Sequence, residues 1–371
     1  MGFTIVAKGI YAIDWWEFGK IALSWVVSPV LSGIISGGLY LIVKYAVLVK
    51  PNSFEAGLKF VPIIYACTLF VNVTPVTNQI FEVVSDSKGE TWVAPYPSWG
   101  PIVISISIGI FCGIVTGLFV ALVVVPRQKK TILQSFTQLE ETYEKEKIAA
   151  SEADSEKTPI LSDTDAPALS AQYGAVPEDS SAQPEEADTK PKSIDDKTAG
   201  VDTQMTEKLF SFLQTLTATF NSFVHGSNDV SNAIGPLASV YTIWQTGTVD
   251  SSNETQIWIL AYGGVGIVLG LFLLGRRVIE TLGHNITHLT PSRGFTIELG
   301  AALTVLVASR AGIPVSTTHC MVGSVVAVGY ISNEGSVSWK LFGKIFLSWI
   351  VTIPAAGLVS AAMFAALRPA L

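Results

Sequence analysis

The sequence predicts an all-α polytopic membrane protein built on an inverted repeat, and three observations carry that prediction. The first is composition: the 371 residues are 49% hydrophobic and only 14% charged, too apolar for an ordinary soluble domain. The second is patterning, since apolar stretches of membrane-spanning length recur along the chain. The third is self-similarity between the two ends. Trp15 to Ser36 reads W-W-E-F-G-K-I-A-L-S-W-V-V-S-P-V-L-S-G-I-I-S, and Trp339 to Ser360 reads W-K-L-F-G-K-I-F-L-S-W-I-V-T-I-P-A-A-G-L-V-S. Trp15, Phe18, Gly19, Lys20, Ile21, Ser24, Trp25, Gly33 and Ser36 meet identical residues at a constant offset, which chance explains poorly.

A hydrocarbon layer about 30 Å thick needs roughly 20 apolar residues per helix. That ruler places spans near 18–48, 58–81, 99–125, 208–245, 256–275, 294–310, 313–332 and 340–367, about eight membrane segments. The fourth is expected to be broken, because Gly226 and Gly235 form helix weakly and Pro236 lacks a backbone donor. The pair from 294 to 332 is short and interrupted by Arg310, Gly312 and Pro314. Lys and Arg beside the spans set the orientation. Lys44, Lys50 and Lys59, then Arg127, Lys129 and Lys130, then Arg276, Arg277 and Arg293, and finally Lys340 and Lys344 all fall inside under strict alternation. Both termini and the loops 82–98 and 246–255 then lie outside. The sequon at Asn253 is external and that at Asn285 internal, hence unused.

Residues 131–207 have a different composition. Most acids sit between Glu140 and Glu207, so the net charge of −7 describes one loop. We expect a disordered acidic cytosolic linker there, with Leu133, Phe136, Leu139 and Tyr143 extending the preceding helix at its start. The remaining units are 1–50, the last span of a first repeat; 51–130, two connecting spans; and 208–371, the second repeat. The second copy closes a five-span unit, whereas the first opens the chain, and alternation gives the copies opposite orientations. Equivalent repeats would put about four further spans before Gly2, so the chain is expected to be an N-terminally truncated form of a protein with an expected twelve spans. The weak basic balance excludes nucleic acid as a partner. Cys67, Cys112 and Cys320 lie in apolar segments without paired spacing and read as small core residues, not as disulfides or zinc ligands. No basic segment precedes an apolar signal region, and the myristoylation pattern fails at position six.

The polar residues inside the apolar spans carry the chemistry. Val224 to Pro236 reads V-H-G-S-N-D-V-S-N-A-I-G-P, and a charge at the bilayer centre costs at least roughly 3 kcal/mol unless compensated. On a helix His225, Asp229, Asn232 and Gly235 share one face, with Asn228 beside them. At Gly312 to His319, G-I-P-V-S-T-T-H sets three hydroxyls after a proline, where a new helix would start; hydroxyls and free N–H groups there form an oxyanion site. N-capping alone explains Ser316 but not Thr317 and Thr318. Glu298 is a second isolated carboxylate, and like Asp229 it suits Na⁺ or a proton. His225 and His319 are candidates for a proton or phosphate contact, although a lone histidine more often has a structural role. An intramembrane hydrolase using Ser227, His319 and Asp229 is weak, because the nucleophile-elbow pattern is missing.

His225 to Pro236, Pro314 to Cys320 (P-V-S-T-T-H-C) and Phe295 to Leu299 (F-T-I-E-L) together resemble the second signature half of the inorganic phosphate transporter family, the sodium-dependent type III phosphate symporters. The resemblance covers nearly all of the chain outside 131–207. It implies an inverted-repeat transporter fold with broken helices, phosphate bound between the repeats, and coupling to Na⁺, or to H⁺ in some members. Carried over, Asp229 and Asn232 match the ion and substrate motif, Ser316, Thr317 and Thr318 match the phosphate-binding hydroxyls, and Glu298 matches the membrane glutamate. The family's first motif pair would precede Met1. The expected activity is sodium-coupled phosphate symport across the plasma membrane, with Na⁺ as coupling ion, no other cofactor and no enzymatic reaction. Partners are phosphate, Na⁺ and the bilayer, and a homo-oligomer is compatible. Alternatives are a non-transporting assembly partner or surface receptor, a carrier of another oxyanion, and H⁺ coupling.

Overall fold

The computed structural model describes residues 2–86, 100–155, 194–247, 255–277, 286–287, 289–332 and 337–368. Among these residues the regular elements are all helices. They are α1 (Gly2–Lys8), α2 (Trp15–Val43), α3 (Ser53–Asp86), α4 (Gly100–Phe119), α5 (Val125–Ser155), α6 (Ile194–Thr246), α7 (Ile257–Gly270), α8 (Pro291–Arg310), α9 (Thr317–Ser332) and α10 (Trp339–Leu367). Wider π turns close α2, α4 and α7 at Lys44–Leu48, Val120–Val124 and Leu271–Gly275.

Among the described residues five helices are long and apolar enough to cross a membrane: Trp15–Leu48, Ser53–Thr74, Ile102–Leu139, Ile257–Gly275 and Trp339–Leu367. Their outer faces suit hydrocarbon rather than water, since side chains as large as Phe272 (86% exposed) and Phe111 (68%) project outward. The chain is therefore an integral membrane protein. The repeat seen in sequence has local counterparts. Asp14 accepts from the Trp16 and Glu17 amides at 3.0 Å to start α2, and Ser338 accepts from the Leu341 amide at 3.4 Å to start α10. Each helix then sets Trp edge-on to Phe at 5.9 Å, Trp15 to Phe18 and Trp339 to Phe342.

Three expectations are corrected. The span at 208–245 is not broken: α6 runs unbroken for 53 residues with Pro236 inside it. In apolar surroundings each break strands backbone groups at several kcal/mol, so one proline that removes a single bond is the smaller cost. Within 131–207 the preceding helix extends as expected at the start, through Ser155 in α5, but the far end, expected to be disordered, is helical from Ile194 in α6; only 156–193 of this stretch lies outside the described residues. Polar composition did not prevent helix there, because Lys208 donates to Ser135 at 2.8 Å and Asp202 is bonded to α3. Cys67 is exposed and Cys112 half-buried, so of the cysteines only Cys320 is a core residue. The external sequon at Asn253 also lies outside the described residues.

Close packing rests on small residues, as expected where lipid offers no hydrophobic drive between helices. Helices α8 and α9 form an antiparallel hairpin, and α2 crosses both. Ser324 of α9 bonds Ser32 at 2.6 Å and Ser36 at 2.7 Å. A Cβ on Gly323 would overlap the Pro29 backbone, and one on Gly300 would overlap Ser36. Helix α4 presents Gly109, Gly113 and Gly117 to Phe70, Ala66 and Pro62 of α3 in the same way. The largest apolar cluster gathers Leu209, Phe210 and Leu213 of α6 against Val47, Phe54, Leu58, Val61, Phe295 and Leu299.

Candidate functional site

Helices α6 and α8 run parallel, and the hairpin tip between α8 and α9 meets the middle of α6. The tip is a tight C-terminal stop. The Gly312 amide donates to the Ser309 carbonyl at 3.2 Å and the Ile313 amide to the Ala308 carbonyl at 2.9 Å, with Gly312 at φ +66°. That pattern needs a left-handed residue, which glycine supplies. Pro314 then keeps the chain extended until Ser316, whose hydroxyl accepts from the His319 amide at 3.4 Å and starts α9.

The central contact joins the two motifs. Thr317 donates to Asp229 at 3.0 Å to one carboxylate oxygen and 3.4 Å to the other. At the preceding residue, Asn228 accepts from Ser309 at 3.4 Å, while its amide nitrogen is buried without a protein partner. His225 Nε2 is buried and unpartnered as well. Polar atoms left this way at membrane depth are unusual and point to a ligand.

Not every expected residue converges here. Asn232 is exposed one turn beyond Asp229, and Thr318 is exposed on α9. His319 is 8% exposed, with both ring nitrogens unpartnered, and packs at a 37° tilt against Trp349 of α10, 3.8 Å between centroids. Glu298 forms a second centre. It accepts from Thr217 at 2.8 Å, and the Gln214 side chain also bonds it. Thr217 lies twelve residues before Asp229 on α6, about 18 Å along a helix axis, so one cation cannot touch both carboxylates. Sequence reasoning missed Thr217, Gln214, Ser309 and Trp349. A signal existed for one of them, because Thr217, Asn221, His225 and Asp229 continue the polar stripe in steps of four.

Comparisons with known proteins show the family. A family model described as the phosphate transporter family matches residues 1–360. Sodium-dependent phosphate transporter 1 of Pongo abelii is 29% identical over 99% of this chain and 79% of its own length. The protein of the same name from Xenopus tropicalis is 30% identical over 100% of this chain and 79% of its own. A solved structure titled "The sodium-dependent phosphate transporter" superposes with a TM-score of 0.69 at 30% identity, covering 100% of this chain and 72% of that one. With its α6 stripe and hydroxyl-tipped hairpin in place, this chain belongs to the phosphate transporter family.

Proposed function

We propose that the chain carries out sodium-coupled symport of inorganic phosphate across the plasma membrane, and that the α6–hairpin junction is where substrate and cation meet. The observation that carries this reading is the bond from Thr317 to Asp229. It ties the sole carboxylate of the α6 stripe to the helix end best suited to an oxyanion. Phosphate would take donors from Ser316, Thr317, the Asn228 amide and His225. Neutral donors replace its water without a lysine that would hold it too long.

The same bond supplies a coupling device. With no cation, the Thr317 hydroxyl is committed to Asp229. A sodium ion on Asp229 takes over the lone pairs that Thr317 satisfied, so the hydroxyl is released to phosphate. Each ligand then favours the other, as linkage requires. Glu298, held by Thr217 and Gln214, is a separate station for a second cation, and Asn232 is a contact on the approach to Asp229.

The test is labelled phosphate uptake in cells lacking high-affinity uptake of their own, in sodium against choline medium, with the parent chain and Asp229→Asn. Sodium-dependent uptake lost in the variant supports the reading. Surface-expressed protein without uptake would overturn it and leave a non-transporting membrane protein; uptake driven equally well by acid medium in choline would reassign the coupling ion to H⁺.

A further inference from the structure

The N-terminal end of α6 makes contacts that neither the transport reading nor the family motifs use. Asp202 accepts from the Ser53 amide at 2.6 Å, from the Ser53 hydroxyl at 2.8 Å and from the Phe54 amide at 3.2 Å. Ser53 and Phe54 open α3. Five residues on, Glu207 accepts from the Ser292 amide at 2.8 Å and the Ser292 hydroxyl at 2.7 Å, and Ser292 opens α8. One helix thus caps two others in trans. No local side-chain cap serves the α8 amides, since the Thr290 hydroxyl at the N-cap position meets only the Ser292 hydroxyl, at 3.1 Å. The joints are dry on the capped side, with Ser53 at 4% and Ser292 and Thr206 at 0% exposure.

Charged acceptors on free helix amides are the stronger class of hydrogen bond, and they match the positive helix end. Their placement gives them leverage. Glu207–Ser292, Thr217–Glu298 and Asn228–Ser309 are successive ties between the parallel helices α6 and α8. The first fixes the register on which the other two depend, and Leu209, Phe210 and Leu213 lock the adjoining turns into the main core.

We infer that Asp202 and Glu207 are positioning residues, a two-point carboxylate latch that sets α6 in register with α3 and α8 and so holds Asp229 against the hairpin tip. The inference rests on the site proposed above for the meaning of that register. It does not rest on transport for its test. Neither residue touches substrate.

The experiment uses the full chain in lipid nanodiscs and in cells, comparing the parent with Asp202→Ala, Glu207→Ala, the double variant, and Asp202→Asn with Glu207→Gln, which retain an acceptor oxygen. Hydrogen exchange is expected to rise at the Ser53 and Phe54 amides when Asp202 is truncated and at Ser292 when Glu207 is. In the double variant it is also expected to rise at the tip, residues 311–316. The sodium concentration for half-maximal uptake per surface molecule should increase about threefold to tenfold, the range of a lost coupling contact. The conservative pair should stay near the parent in both readouts. A merely structural role would lower surface abundance without moving the sodium requirement. Tip exchange unchanged in the double variant would overturn the inference. If the parent takes up no phosphate, the transport reading fails on that result, and tip exchange alone decides the latch.

Discussion

At the residue scale, the site is organised by which acceptor each hydroxyl serves. Thr317→Val removes the donor that Asp229 uses and leaves a half-buried carboxylate short of a partner, a loss of about 1–3 kcal/mol. Sodium-dependent uptake per surface molecule is expected to fall about tenfold or more, whereas Thr317→Ser keeps the hydroxyl and should stay within about threefold. Thr217→Val makes the equivalent change at Glu298. If the two carboxylates are separate cation stations, its effect should appear in the sodium dependence of uptake while half-saturation by phosphate moves little. Kinetics measured at several sodium concentrations separate the two cases. The motif residues were legible from sequence because a charge or three hydroxyls inside an apolar run violates patterning. Of their partners only Thr217 left a trace, in the polar stripe, since Ser309 and Trp349 are ordinary membrane-helix residues until another helix is laid against them.

At the scale of elements, the α2–α9 crossing depends on the absence of side chains. A Cβ on Gly323 would run into the Pro29 backbone, which cannot swing aside. Gly323→Ala is therefore expected to lower the thermal midpoint in detergent and reduce the folded yield, by about 2 kcal/mol or more on the scale of overpacked cores. Gly38→Ala is the control, because nothing lies within 4 Å of its would-be Cβ. Ser324→Ala should be milder, about 1 kcal/mol, as interhelical hydrogen bonds in membranes contribute little each. Spans were read well where apolar length decides them, as at α4 and α10. They were read badly at α6, where glycine and proline were taken as a break. Propensity measured against water overstates the tendency to break when the alternative is bare backbone in lipid.

At the scale of the molecule, the apolar exterior fixes an integral membrane protein, and the charge bias of the sequence predicts its orientation. That orientation, with the loop 246–255 outside, predicts a glycosidase-sensitive mobility shift that Asn253→Gln abolishes, with no shift from Asn285. A shift surviving Asn253→Gln and lost in Asn285→Gln would invert the topology. The repeat works at this scale too. Two helices of 29 residues begin with a side-chain cap at the equivalent position and the same edge-on Trp–Phe pair, yet α2 packs against α8 and α9, whereas α10 has no buried residue.

The sequence by itself determined the class, the placement of most spans, the repeat, and the residues whose chemistry is out of place in hydrocarbon. Each of these follows from composition and periodicity, which act along the chain. Only the tertiary structure decided that Asp229 is held by Thr317, that Glu298 forms a separate centre, and that α6 caps α3 and α8. Those contacts join residues 81 to 149 positions apart. No local pattern encodes such pairings: they arise when parallel and antiparallel helices settle into one register, and that register is set by where glycine and serine let the backbones touch.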